Sequence, residues 1–319
     1  MTIFQPREVY KPFEYPFAED YTIKQQQHHW VATEFNLSSD INDWKMNLSN
    51  EERNAVGNLL KGFTQAEVII SDYWSTKVTK WFPKPEIAAM ALTFSSFEVI
   101  HQQAYSYLND SLGLDNYDAF LKDAATQAKF NALITASSNT QEDKARSVAV
   151  FSAFAEGVQL FSSFAILMSF SLRDLLKNVG TIVSASVRDE SLHSNAGCKL
   201  FREIIRENPR LWTEDFKQSI YEAARTCVKL EDDFIDMVFE LGDIPGITKD
   251  ALKTFIRWRA NTKLGDLGLS MNWKNLNKDH LEEMAWFDNM VAGEHHQDFF
   301  ANRVIDYAKG SVDFSTIFD

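Results

Sequence analysis

The sequence predicts an all-α protein, one bundle of long helices, and three observations predict it. Helix-start and helix-stop residues punctuate the chain from end to end. Strand signals are sparse, with no Asn-Gly or Asp-Gly turn between alternating runs. Glycine occurs only 12 times in 319 residues, and neither a tandem repeat nor a Gly/Ser linker divides the chain. A single domain over residues 1–319 is therefore expected.

Residues 1–48 carry no sustained period and are expected to be irregular. Ser49-Asn-Glu-Glu52 is a capping box, so a helix should open there and run to about Trp81. Pro85 suits the first turn of the next helix, which should reach about Leu112 and stop before Gly113. Further helical patterns cover about 116–137, 142–177, 181–207, 213–241, 249–264 and 278–303. A polar tail, about 305–319, follows.

Net charge is −13 and the isoelectric point about 5.0, which argues against a phosphate-binding footprint, so no nucleic-acid partner is expected. Cys198 and Cys227 lack CxxC spacing, so neither a disulfide framework nor a thiolate zinc site is expected, and a reducing cytoplasm fits. Residues 1–20 are mixed in charge and contain three prolines, unlike a signal peptide. Across 147–171 the only formally charged residue is Glu156, and that length could span a bilayer. Ser152, Gln159, Ser162, Ser163 and Ser169 dilute it, however, and mean hydropathy is −0.28. A helix apolar on all sides is also what the centre of a large bundle requires, so no membrane span is expected.

Two helices carry Glu-x-x-His, as Glu98-Val-Ile-His101 and Glu190-Ser-Leu-His193. At i and i+3 the two side chains share one helical face and can reach one ion. Bundles that hold two metals between carboxylates take such a pair from each of two helices and a lone Glu from each of two others. Glu67 and Glu156 are the lone candidates. Any one of these residues is ordinary on a solvated face, except Glu156. An ionised carboxylate in so apolar a stretch costs several kcal/mol unless it is paired or metal-bound. The order Glu, Glu-x-x-His, Glu, Glu-x-x-His on four helices predicts a dinuclear site. Four carboxylates and two imidazoles suit iron or manganese rather than structural zinc.

The spacing of these six residues, with Arg188-Asp-Glu-Ser-Leu-His193, resembles the small subunit of class I ribonucleotide reductase, and the resemblance runs from Trp30 to the tail. It implies a ferritin-like fold, a homodimer, and a radical-generating subunit that acts only with the large, catalytic subunit. It also implies that Glu67, Glu98 and His101 serve one metal and Glu156, Glu190 and His193 the other, with Glu98 and Glu190 bridging. Tyr105, one turn beyond His101, matches the family's radical tyrosine. Trp30 matches the tryptophan near the metals, and Asp189 the aspartate between that tryptophan and a metal-bound histidine. Tyr307 matches a radical relay in the tail, where Phe314 and Phe318 would anchor on the large subunit.

Most members carry Asp where this chain has Glu67. Glu there resembles two subgroups, one with a manganese/iron centre and Phe in place of the radical tyrosine. The other, class Id, uses two manganese ions oxidised by superoxide, without a flavodoxin-like activase. Because Tyr105 is retained, the dimanganese subgroup fits better, with Mn/Fe and Fe/Fe as alternatives, and whether Tyr105 holds a stable radical is left open. Leu160, Phe164 and Ser186 fall where the family has an apolar pocket, and Ser186 is polar. The segment before Trp30 is shorter than the nucleotide-sensing domain of some relatives, so allosteric control is expected in the large subunit. A ferritin-like oxidase or desaturase acting directly on a small molecule is the competing enzyme reading, and iron storage the non-enzymatic one.

Overall fold

The structure, a computed structural model, describes residues 2–115, 127–129, 140–240 and 242–292. Every regular element among them is helical. The segment before residue 49, expected to be irregular, contains helices α1 (Pro16–Gln27) and α2 (Ser38–Met46). Their inward faces explain why no apolar period announces them. The buried positions of α1 are Ala18, Thr22 and Gln25, and the single buried residue of α2 is Asp40. Both helices bury polar groups that bond elsewhere in the protein.

Helix α3 (Asn50–Asp72) opens on the expected capping box. Ser49 Oγ accepts the Glu52 N–H at 3.2 Å, and Glu52 Oε2 accepts the Ser49 N–H at 2.9 Å. It continues through a π-helical segment, Tyr73–Val78, to Trp81. Helix α4 (Pro85–Leu112) has proline in its first turn. It ends where Gly113 takes a left-handed φ of 69°, which lets the Leu114 N–H reach the Asn109 carbonyl at 2.8 Å. The expected helix over 116–137 lies mostly outside the described residues.

Helix α5 (Gln141–Val150) passes through a second π-helical segment, Phe151–Gln159, into α6 (Phe161–Ser169). The rod Gln141–Arg173 is long and apolar enough to cross a membrane, but 94% of its most apolar window is buried within the protein. It is the core element of the bundle, packed against the helices that follow it. Phe154, Phe161, Phe164 and Phe170 on it are fully buried, each contributing roughly 1.5–3 kcal/mol through burial.

Helix α7 (Lys177–Glu207) begins before the expected residue 181. Asp174 and Leu176, with φ of 60° and 47°, turn the chain without glycine or proline. The first N–H groups of α7 are satisfied from α2. Asp40 Oδ1 accepts from Val179 N at 2.8 Å, and Asp43 Oδ2 from Leu176 N at 3.1 Å. A cap supplied from so far along the chain leaves no local signature. Helices α8 (Glu214–Val238), α9 (Lys249–Asp266) and α10 (Lys278–Glu283) complete the described elements, with helix again over 285–292. In the bundle α3 packs on α4, and α7 packs on both α6 and the π segment before it. Four helical elements thereby face one another across a shared interior, as a metal cage between helices requires.

Candidate metal centre

Each of the four elements sends side chains to that interior: Glu67 from α3, Glu98 and His101 from α4, Glu156 from the π segment Phe151–Gln159, and Glu190 and His193 from α7. All six are fully buried. They form two overlapping groups, Glu67–Glu98–His101–Glu190 and Glu98–Glu156–Glu190–His193, with the candidate ligand atoms of each within 4.8 Å of one another. Glu98 and Glu190 belong to both, the position a bridging carboxylate needs.

Both imidazoles turn Nδ1 inward. His101 Nδ1 lies 3.1 Å from Glu98 Oε2 and 3.2 Å from Glu190 Oε1, and His193 Nδ1 lies 2.7 Å from Glu98 Oε1. The outward nitrogens are fixed by partners that only accept. His101 Nε2 faces Asp189 Oδ2 at 3.2 Å, and His193 Nε2 faces Gln25 Oε1 at 3.1 Å. Each Nε2 therefore carries a proton, which leaves Nδ1 as the nitrogen that could bind an ion.

The donor set fits two divalent cations. Both oxygens of Glu67, and Oε2 of Glu190 and of Glu156, are buried without a hydrogen bond. So many orphaned acceptors in one interior are costly without a cation between them. Four carboxylates also match the charge of two divalent ions. Burial pushes the Glu67 carboxyl up to about 8, helped by the Glu98 charge and opposed by His101. Burial likewise raises Glu156 and Glu190 well above the usual carboxylate range, with Glu98 adding to both. Glu98 behaves oppositely: burial would raise it, but His193 and His101 together outweigh that and hold it low. His101 is lifted despite burial by Asp189, Glu190, Glu67 and Glu98.

Beyond the cage, Trp30 donates its indole N–H to Asp189 Oδ2 at 2.8 Å and stacks on the His101 ring, with centroids 5.8 Å apart. The sequence-predicted Trp30, Asp189 and His101 thus meet in one buried cluster. Tyr105 is fully buried and stacked on Phe63, which stacks in turn on Phe164, both pairs with centroids 4.8 Å apart. Its hydroxyl faces Ser186 without a well-formed hydrogen bond. Burial, with the Glu67 charge adding, pushes that phenol well above its usual range. Tyr307, Phe314 and Phe318 lie outside the described residues.

Two residues of the site went unrecognised in the sequence. Gln25 donates from Nε2 to Asp189 Oδ1 at 3.0 Å while accepting from His193, so one carboxamide links the surroundings of both histidines. Trp74, on the π segment after α3, donates Nε1–H to Glu156 Oε1 at 2.5 Å. Trp74 lies two turns beyond Glu67 along the same helical run, but its partner comes from a helix remote in sequence. Gln25 gave no signal beyond its place in a polar helix.

The four-element cage and the helical bundle define a ferritin-like protein whose buried carboxylates and histidines could hold two metal ions. A family model described as "Ribonucleotide reductase, small chain" matches residues 7–278, and the chain belongs to that family. It is 32% identical over 326 residues to a probable ribonucleoside-diphosphate reductase small subunit of Invertebrate iridescent virus 3, covering 96% of this chain and 85% of that protein. Its fold matches the ribonucleotide reductase R2 subunit from Clostridium botulinum with a TM-score of 0.79 at 20% identity, over 87% of this chain and 89% of the other. It also matches the dimanganese(II)-NrdF of Streptococcus sanguinis with a TM-score of 0.74 at 20% identity, over 88% of this chain and 100% of that one.

Proposed function

We propose that this chain is the radical-generating small subunit of a ribonucleoside-diphosphate reductase, working with a large catalytic subunit in deoxyribonucleotide synthesis. Family membership supports the pairing with a large subunit. The observation that carries the radical role is the hydrogen-bonded series His101–Asp189–Trp30 leading away from the cage.

A dinuclear centre held by Glu67, Glu98, His101, Glu156, Glu190 and His193 would supply the one-electron oxidising equivalent. The protein's own residues then decide where that demand is felt. Trp30 is an oxidisable ring stacked on a ligand histidine, and its N–H rests on Asp189 Oδ2. When Trp30 gives up an electron, that proton can shift along the hydrogen bond to Asp189, so charge does not build up in a buried site. Asp189 is suited to this as a carboxylate: burial opposes its charge, but His101, Arg188 and the Trp30 N–H together hold it ionised. Tyr307, in the tail that would dock on the large subunit through Phe314 and Phe318, would extend the relay across the interface towards a cysteine of that subunit.

Glu67 together with a retained Tyr105 favours a dimanganese centre of the class Id kind, oxidised by superoxide without a flavodoxin-like activase. The fold likeness to a dimanganese(II) protein is in keeping with that reading. A homodimer in the cytoplasm completes the proposal. The test of the relay is Tyr307→Phe, assayed with the large subunit. Ribonucleotide reduction should collapse while metal content stays at the wild-type level, and retained activity would remove Tyr307 from the path.

A further inference from the structure

Helix α9 contributes no ligand, yet it grips the chain beside two of them. Arg259 donates from Nε to the Gly157 carbonyl at 3.1 Å, one residue beyond Glu156. Its guanidinium lies over the Phe161 ring, 3.2 Å from the centroid, with the charges of Asp288 and Asp266 near. One turn along, Lys263 donates to Asn195 Oδ1 at 2.8 Å and to Asp266 Oδ2 at 3.0 Å. Asn195 is two residues beyond His193. The Lys263 stem and Ser194 close over Gly157 so tightly that a Cβ there would meet Ser194 Oγ at 2.7 Å and Lys263 Cδ at 2.9 Å. Helix α9 therefore holds the Gly157 backbone next to Glu156 and the Asn195 side chain two residues beyond His193. Glu156 and His193 are the two side chains found only in the Glu98–Glu156–Glu190–His193 group.

Glu156 needs such support. It sits in a π-helical segment, where ordinary α-helical geometry does not set the direction of a side chain. Its Oε1 is taken by Trp74, while Oε2 is buried and unpartnered. A planar donor from outside the helix fixes which way the peptide beyond Glu156 faces, and with it the direction of that free oxygen.

We propose that Arg259 is a positioning residue for the metal centre, holding the Gly157 peptide so that Glu156 presents Oε2 to the ion position it shares with His193, with Lys263 steadying the His193 side. The proposal rests on the reading of Glu156 and His193 as ligands. Such an arrangement makes the second ion position depend on a helix that never touches the metal.

The test loads the full chain with manganese(II), measures stepwise affinities and records the electron paramagnetic resonance spectrum. Arg259→Met keeps an apolar stem over Phe161 and removes the donor. In that variant the first ion should bind as in wild type, the second should weaken roughly tenfold, as for other residues that orient ligands, and the coupled-pair signal should give way to that of isolated ions. Arg259→Lys should fall between the two, because an ammonium cannot reproduce the fixed planar donor. An unchanged second affinity and spectrum in Arg259→Met would overturn the assignment. So would equal weakening of both ions, which a loosened core would produce. If Arg259→Met does not fold, as judged by metal-free thermal unfolding, Arg259→Lys carries the comparison, and a wild-type spectrum there overturns the assignment. A wild-type chain that takes up no pair of ions would bring down the ligand reading and this proposal together. A pair in wild type that persists unaltered in Arg259→Met would bring down this proposal alone.

Discussion

Trp30 and His101 lie on the same oxygen of Asp189: the indole N–H donates to Oδ2 at 2.8 Å, and His101 Nε2 faces that atom at 3.2 Å. A single carboxylate oxygen thus connects a candidate metal ligand to an oxidisable ring on the way out of the bundle. Gln25 holds the other oxygen, so the carboxylate cannot rotate without breaking a bond on each side.

Asp189→Asn tests that geometry. The amide has nearly the same shape, but only one of its ends accepts, while Trp30, His101 and Gln25 all approach as donors. Metal content should stay near the wild-type level, and ribonucleotide reduction with the large subunit should fall roughly 10- to 100-fold, as for other partners of ligand histidines. Metal analysis beside the activity assay checks this, and full activity would exclude Asp189 from the relay.

Metal-free protein should become less stable as pH rises. The carboxyl of Glu67 is raised from 4.5 to about 8, chiefly by burial, so the folded metal-free state holds a proton there that the unfolded chain has released. Glu156 and Glu190 are raised in the same sense. His101 is raised above 6.5, so its stabilising contribution is complete below that value and is lost as pH rises through its folded value. Glu98 is lowered, and its contribution is lost only as pH falls below 4.5. Between about pH 5 and 8 the raised groups decide the sign, and cations relieve them. Melting temperatures with and without metal should diverge as pH rises across that window. A constant gap would contradict this picture of the cage.

Glu67 should leave its mark on metal choice. Protein produced with both iron and manganese available should carry manganese, and coupled Mn(III)/Mn(IV) lines should appear after exposure to superoxide but not to oxygen alone. Elemental analysis with electron paramagnetic resonance reads both. An iron-loaded protein with a sharp tyrosyl signal from Tyr105 would contradict the dimanganese reading.

The cage was legible because its signals are local. Glu98 with His101, and Glu190 with His193, declare themselves by a three-residue spacing that any helix converts into a shared face. Glu156 declares itself as the one charge in a long apolar run. Helix α3 was readable from Ser49 and Glu52, whose reciprocal bonds span three residues. What stayed hidden depends on contacts between remote parts of the chain. Helices α1 and α2 turn Gln25 and Asp40 inward rather than apolar residues, and the start of α7 is capped by Asp40 and Asp43 from α2. The π segment under Glu156, on which α7, α8 and α9 pack, is likewise announced by no local pattern.

The most direct test of the reductase assignment combines the metal-loaded, oxidised chain with a ribonucleotide reductase large subunit and follows deoxyribonucleotide formation. Product should form only when both proteins are present, and should stop when this chain is stripped of metal or truncated after Ala308. Oxidation of a small molecule by this chain alone, unaffected by that truncation and with no deoxyribonucleotide formed in the mixture, would contradict the assignment and identify a direct-acting dimetal oxidase.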